Sequence, residues 1–397
     1  MEETNFFGVY VHIPFCDSKC SYCDFVSSVC NNSTKKEYFQ ALQNEIETDA
    51  FYLDYFKTKK EKELANSKKL KKRVNSIYIG GGTPSCADVN DIIKIIQVIK
   101  KKFDVDVDAE ITVECNPCSV SLEKITAYKN AGINRISFGA QSFVDAQLEF
   151  LGRRHTSAQI FDAINMSKDA GITNISIDLI VGIWDDLDIC LYEKNIKILK
   201  EMGVKHFSIY LLSLEKNTPL FQLYKNNEYK LPSEENCLQQ FEKLSEILKK
   251  NDFSRYEVSN FAQSGFESKH NSNYWRLGAY RGVGVAAHSF FAGKRVVLNK
   301  SLNEYIDFAG KFIRRDYDIE KISSDERQLE YIMLGLRLSS GIDLNKIKNE
   351  NFLERKKDFI LQMHEEGFLK FDSGKLTIKL TDKGFNVMNS IIVELIS

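Results

Sequence analysis

The sequence predicts an α/β fold, a partial (β/α)6 TIM-like barrel followed by a smaller α-rich, winged-helix-like C-terminal domain. Three observations predict it: six short β-rich runs alternate with helical patterns, no dinucleotide fingerprint accompanies them, and the alternation ends near residue 230.

The runs are Val9–Ile13, Asn75–Ile79, Glu110–Glu114, Asn134–Phe138, Asn174–Leu179 and His206–Leu211. Each is rich in β-branched or aromatic residues and bounded by turn formers. The capping box Thr34-Lys35-Lys36-Glu37 opens the first helix, and Ile92, Ile93, Ile95, Ile96 and Ile99 form an apolar face on the second. Strand and helix in turn imply a parallel sheet covered by helices. The chain divides into a barrel over 1–230, a connecting segment over 231–300 and a C-terminal domain over 301–397. The connecting segment holds one long helix and then a Gly- and aromatic-rich passage from Arg255 to Phe291. Lys375 to Gly384 reads as a short strand, turn and helix, which suggests the winged helix.

Composition narrows the function. With 397 residues, 43% apolar and 27% charged, and a mean hydropathy of -0.30, the chain can bury a large core. No apolar run approaches the roughly 20 residues a membrane helix needs, and no secretory segment opens the chain. A formal charge of -1 excludes the global field that gathers nucleic acid. Nine cysteines, odd in number and partly clustered, argue for thiols kept reduced and hence for a cytoplasmic protein. The lysine-rich stretch from Lys57 to Arg73 is a solvated loop or helix extension, or else a peripheral contact surface for a membrane or partner.

Cys16, Cys20 and Cys23 put three thiols within eight residues directly after the first strand. A [4Fe-4S] cube takes one ligand per iron, so three thiolates leave one iron open to a cosubstrate. The alternative is structural zinc, with His12 completing a Cys3His set. Cys115 and Cys118 form a second C-x2-C, but with no further pair nearby they read as rim thiols. In a parallel barrel the chemistry sits where strands end. There stand Gly80-Gly81-Gly82-Thr83, then Glu114, Gln141 and Asp178. A glycine run admits close backbone approach, and carboxylate and amide groups can bind hydroxyls and an ammonium. Read blandly, the glycines are a turn, the carboxylates cap strands, and Arg153 makes a surface ion pair.

The C-x3-C-x2-C spacing, flanked by Tyr10-x-His12-Ile-Pro14-Phe15-Cys16 and followed by the glycine run, resembles the radical S-adenosylmethionine superfamily. The flanking residues narrow the likeness to its coproporphyrinogen-related branch, which holds oxygen-independent coproporphyrinogen dehydrogenases and heme chaperones. The likeness covers nearly the entire chain. It implies a [4Fe-4S] cluster on the three cysteines. It also implies an S-adenosylmethionine site at Tyr10, Tyr22, Gly81, Gly82, Thr83, Glu114, Gln141, Arg153 and Asp178. In that superfamily the cosubstrate chelates the open iron, and reductive cleavage yields a deoxyadenosyl radical.

Two features separate the members of the branch. The dehydrogenases carry a fourth cysteine two residues after the third, where this chain has Phe25. They also carry a long N-terminal extension, and only nine residues precede Tyr10 here. Both favour the chaperones, as does His270-Asn-Ser-Asn-Tyr274-Trp275, an H-N-x-x-Y-W signature associated with heme. The resemblance therefore implies heme as a ligand, with His270, Tyr274 and Trp275 at its site and apo-hemoproteins as recipients. An imidazole is a competent axial ligand and the aromatics offer flat faces to a porphyrin. His270 can equally be a packing residue, and His288, which ends an apolar run after a glycine-rich turn, reads as structural. Coproporphyrinogen dehydrogenation remains the alternative activity. Two departures stand out: the chain has Val181-Gly-Ile-Trp184 where the branch usually reads Tyr-Gly-Leu-Pro, and Ala286 where glycine is usual.

Overall fold

Seven parallel strands form the centre of the molecule. The computed structural model describes residues 6–48, 73–309, 316–349 and 351–397. The six expected strands are all present as β1 (Phe7–Ile13), β2 (Arg73–Gly81), β3 (Asp104–Cys115), β4 (Arg135–Gln141), β5 (Asn174–Val181) and β6 (His206–Leu211). They pair in chain order, each parallel to the next. Six helices cover them, over Asn32–Thr48, Val89–Lys102, Leu122–Ala131, Ser157–Asp169, Ile189–Glu201 and Glu234–Lys250.

Local sequence starts these helices. Asp88, Ser121, Asp188 and Ser233 each accept a backbone N–H in the first turn of the helix that follows. The first helix differs from expectation: Asn31 is its cap, its Oδ1 accepting from Thr34 N at 2.9 Å, so the Thr34 to Glu37 box falls inside the helix. A short amide side chain one turn earlier captures the free N–H first. Of the isoleucines on the second helix, Ile92, Ile95, Ile96 and Ile99 are buried and Ile93 is half-buried.

The connecting segment adds to the sheet. β7 (Ser254–Arg255) and β8 (Asn260–Ala262) extend it beyond β6, and β9 (Ala279–Val283) lies parallel to β1 on the other side. β10 (His288–Phe291), β11 (Lys294–Val297) and β12 (Asp318–Lys321) continue outward as an antiparallel ribbon. The order is β12-β11-β10-β9-β1-β2-β3-β4-β5-β6-β8-β7, an open curl with two edges. The seventh parallel strand escaped the pattern because Ala279-Tyr-Arg-Gly-Val283 is broken by Arg281 and Gly282. Arg281 is buried there because Glu45 of the first helix takes its guanidinium at 3.0 Å, and Tyr305 donates to the same carboxylate at 2.6 Å.

A second core, including Ile332, Leu336, Ile360, Ile378, Phe385 and Leu395, organises the C-terminal part. Its strands β13 (Ile342–Asp343), β14 (Leu369–Asp372) and β15 (Thr377–Leu380) pair as β13-β15-β14, with helices over Ser324–Gly335, Phe352–Glu365 and Met388–Ile396. No helix among the described residues is long and apolar enough to cross a membrane. The lysine-rich stretch lies outside the described residues except for Arg73, which opens β2 and pairs with Asp106 at 2.9 Å.

Candidate functional site

Register explains why the site is polar. Thr112 opposes Arg135, Glu114 opposes Ser137, Ser137 opposes Ser176, and Ser176 opposes His206, while Gly139, Asp178 and Ser208 form the next row. Paired residues share a face. The intervening positions, such as Ile111, Val113, Ile136, Phe138, Ile175, Ile177 and Phe207, are buried under the helices. Parallel strands buried on both faces read as continuous apolar runs. Here every second residue is polar, so the inner face lines a lumen built for polar contents. Tyr210 stays 44% exposed on this face, which requires the lumen to be open.

The cysteine loop leaves the top of β1 and is laced on both flanks. Cys16 N donates to Ser28 O at 3.1 Å and Ser28 N to Pro14 O at 2.8 Å. From the β2 side, Gly82 N donates to Ile13 O at 2.9 Å and Thr83 N to Phe15 O at 2.7 Å. Gly82 is dictated by that approach: a Cβ there would stand 2.7 Å from Phe15 O and 3.0 Å from Cys16 Sγ. Gly81 sits at φ +119, in the left-handed region. Farther along the loop, Ser21 N donates to Leu151 O at 3.0 Å and Leu220 N to Ser21 O at 2.8 Å. Cys16, Cys20 and Cys23 are unpaired and half-buried, and Phe25 is 69% exposed at the tip.

His12 has no room for zinc. Its Nε2 meets Val26 O at 2.9 Å, which ties the loop to β1, and its Nδ1 meets the Tyr10 hydroxyl at 3.0 Å within β1, so both nitrogens are engaged. The Cys3His set therefore does not fit. Three thiols without His12 do suit a cube with an open iron.

The remaining rim residues converge on the loop. Arg153 donates through Nη1 to Cys20 Sγ at 3.5 Å and through Nη2 to Gly139 O at 2.6 Å and to Asn116 Oδ1. It is no surface ion pair. Its Nε has no protein partner, and the adjacent Tyr22 phenol and Cys20 thiol favour its charge against burial. Burial pushes the Tyr22 phenol up, and Arg153 opposes that. Thr83 Oγ1 lies 3.5 Å from Cys16 Sγ. Glu114 takes the Tyr78 hydroxyl at 2.7 Å and Gly81 N at 3.1 Å. Burial pushes Glu114 up to about 7 against these hydrogen bonds, and the neighbouring Asp178 adds to the rise. Asp178 is itself raised by burial and accepts from Ser137 Oγ at 3.2 Å. Gln141 holds φ 68, next to an irregularity in the β4–β5 register, which aims it off the regular pleat. Cys115 is buried and pushed up to about 12 by that burial, while Cys118 is exposed. Trp184 packs against Phe150 at 5.9 Å, so the unusual loop after β5 closes the rim with an aromatic contact.

His270, Tyr274 and Trp275 stand at the other end of the strands, on the short helix Lys269–Trp275. His270 is 1% exposed, with Nδ1 at 2.8 Å from Ser76 Oγ and Nε2 at 2.7 Å from the Tyr274 hydroxyl. Its ring stacks on Tyr78 at 5.2 Å, and burial pushes its pKa down to about 3. Neither nitrogen has a lone pair free for a metal, so His270 does not fit the axial-ligand role here. The Trp275 indole hydrogen-bonds Glu257, with the Arg337 guanidinium 6.0 Å from its ring. Glu110 anchors this helix by accepting from Lys269 N and His270 N, each at 3.1 Å. A second histidine repeats the device: His206 lies between Ser176 Oγ at 2.7 Å and the Tyr256 hydroxyl at 2.8 Å.

Sequence reading missed Glu110, Thr112, Arg135 and Ser208 on the lumen face. Polar residues at period two in otherwise apolar strands were the available signal. Arg135 is 1% exposed and makes no hydrogen bond or ion pair among the described residues, and Thr112 Oγ1 beside it is also unpartnered.

Comparison with known proteins agrees with this geometry. The sequence profile of the radical SAM superfamily matches residues 10–188, and that of the HemN C-terminal domain matches residues 322–387. The heme chaperone HemW of Lactococcus lactis is 32% identical over 97% of this chain and 96% of its own length. This chain belongs to the HemW family within the radical SAM superfamily. The heme chaperones HemW of Bacillus subtilis and Escherichia coli are 32% and 30% identical, covering 84% and 83% of the chain and 84% and 82% of their own lengths. The crystallised coproporphyrinogen III oxidase HemN of Escherichia coli shares the fold, with a TM-score of 0.78 and 20% identity over 99% of this chain and 90% of that one.

Proposed function

We propose that this HemW-family chain is a heme chaperone that binds heme and hands it to apo-hemoproteins, carrying a [4Fe-4S] cluster on Cys16, Cys20 and Cys23 and S-adenosylmethionine at the rim. The observation that carries the reading is the laced loop, which presents three free thiols, with Phe25 exposed at its tip. When bound, the cluster supplies one-electron chemistry and an open coordination position. The chain's own residues supply the rest. His12 and Gly82 hold the loop against β1 and β2. Arg153 keeps a positive charge beside Cys20 and donates to its sulfur. Glu114 and Asp178 present acceptors for ribose hydroxyls or an ammonium, and Gln141 offers both donor and acceptor. Phe25 gives the loop an apolar tip in place of a further thiol. The full-length likeness to proteins named heme chaperones supports heme as the cargo. Cytoplasmic residence accords with nine unpaired cysteines.

The test is anaerobic reconstitution followed by iron and sulfide analysis, heme titration and incubation with coproporphyrinogen III. Labile sulfide with about four irons, a shifted Soret band and no protoporphyrinogen are expected. Zinc without sulfide would defeat the cluster, and turnover of coproporphyrinogen would make the protein a dehydrogenase.

A further inference from the structure

If the cargo is heme, the iron needs an axial ligand, and the six histidines can be sorted by what their nitrogens already do. His12, His206 and His270 each have both nitrogens hydrogen-bonded. His155 is 3% exposed and bonds Ala140 O at 3.0 Å. His364 lies in the C-terminal part, its Nδ1 shared between Leu369 O and Phe371 N. His288 is different: it is exposed, and its side chain makes no hydrogen bond among the described residues.

Its position gives that freedom a use. In the parallel rows Tyr10 opposes Tyr78 on one side and Gly282 on the other, and Gly8 opposes Tyr280. Tyr280 in turn pairs with Phe290 across β9 and β10. His288, two residues before Phe290, therefore shares the lumen face with Tyr10, Tyr78 and Tyr280. The strands are in close contact there, since a Cβ on Gly282 would run into the His288 backbone. Gly282 is required there because the His288 carbonyl fills the space a side chain would take, which seats His288 directly beside the Tyr10 row. The opposite face of β10 is closed: Ser289 Oγ bonds Gly282 N at 3.0 Å and takes the Arg281 guanidinium at 3.1 Å. The ribbon is thereby fixed with His288 facing the open side. A flat apolar ring system entering that side meets aromatic faces and one uncommitted imidazole. Partial burial, with Arg295 adding to it, lowers the His288 pKa and favours the neutral ring that ligates iron.

We infer that His288 supplies the axial imidazole to heme iron and that the lumen face of β9 and β10, beside Tyr10 and Tyr280, receives the porphyrin. This rests on the heme-chaperone reading and moves the ligand from the H-N-x-x-Y-W helix to the glycine-rich ribbon.

Ferric heme titrated into reconstituted wild type, His288→Ala and His270→Ala separates the possibilities. Wild type should give the Soret band of an imidazole-ligated heme. His288→Ala should lose that band and bind at least about tenfold more weakly, and added free imidazole should restore the band. His270→Ala should be less stable yet keep the wild-type band. An unchanged band in His288→Ala, or one lost only in folded His270→Ala, overturns the assignment while leaving the chaperone reading standing. No heme binding by wild type overturns both.

Discussion

The rim and the floor of the lumen are built from the same six strands and the same polar alternation, yet they treat hydrogen bonds oppositely. On the floor, His270, His206 and Glu110 have their polar atoms met by protein, with Arg135 and Thr112 between them as the exceptions. At the rim Cys16 and Cys20 have only long contacts of 3.5 Å, to Thr83 and Arg153, Arg153 Nε has no partner among the described residues, and Gln141 is held at positive φ. Saturated polar groups close a structure, whereas unsaturated ones wait for a ligand. Residue type alone cannot tell these apart, because an imidazole beside a tyrosine serves either end.

The largest expected effect comes from the floor. Glu110→Ala leaves two backbone N–H groups of the Lys269–Trp275 helix unmet in a buried place, at about 1–3 kcal/mol each. A loss of roughly 3–5 kcal/mol in urea unfolding is expected, with iron per folded molecule unchanged. Loss of iron at wild-type stability would show that the floor belongs to the site, and the contrast between the two ends would fall.

The same contrast explains what the sequence could disclose. β6 runs over the expected residues His206–Leu211, four others contain their expected runs and extend them, and β4 is shifted, leaving out Asn134 and reaching Gln141, because apolar positions facing the helices recur at period two. The cysteine loop was legible because thiol spacing is itself chemistry. The motif around His270 reports aromatics and an imidazole but not Ser76, which lies 194 residues away and binds it. Arg135 was invisible because a charged residue at the start of a strand reads as exposed. Asn31 took the cap from Thr34 because caps are decided by which side chain first reaches a free N–H, a matter of ångströms.

A smaller effect sharpens the rim. Glu114, held at about 7 by burial, is largely protonated at pH 6 and ionised at pH 8. Donors on a bound nucleoside prefer the ionised form, so S-adenosylmethionine affinity should climb as pH rises through 7, by up to about tenfold per unit below it. Glu114→Gln should bind weakly with a flat profile. For folding without the ligand the sign reverses: the folded-state pKa lies above the ordinary glutamate value of 4.5, so this group's stabilisation is complete below 4.5 and is lost as pH rises through 7. A flat wild-type affinity profile in calorimetry from pH 6 to 8 would remove Glu114 from the contact set.

The smallest effect asks whether strain at the rim always serves the site. Ala286, where the branch usually has glycine, holds φ 57 in the turn between β9 and β10. A methyl group in the left-handed region carries about 1–2 kcal/mol of steric penalty, partly offset because glycine loses more entropy on folding. Ala286→Gly should therefore raise stability by about 1 kcal/mol, a few degrees in Tm, while leaving iron content and the heme spectrum as they were. That result would mark Ala286 as strain without function. If the variant is instead no more stable and its heme band shifts, the turn holds His288 in register, and its strain belongs with that of Gln141 to the working face of the barrel.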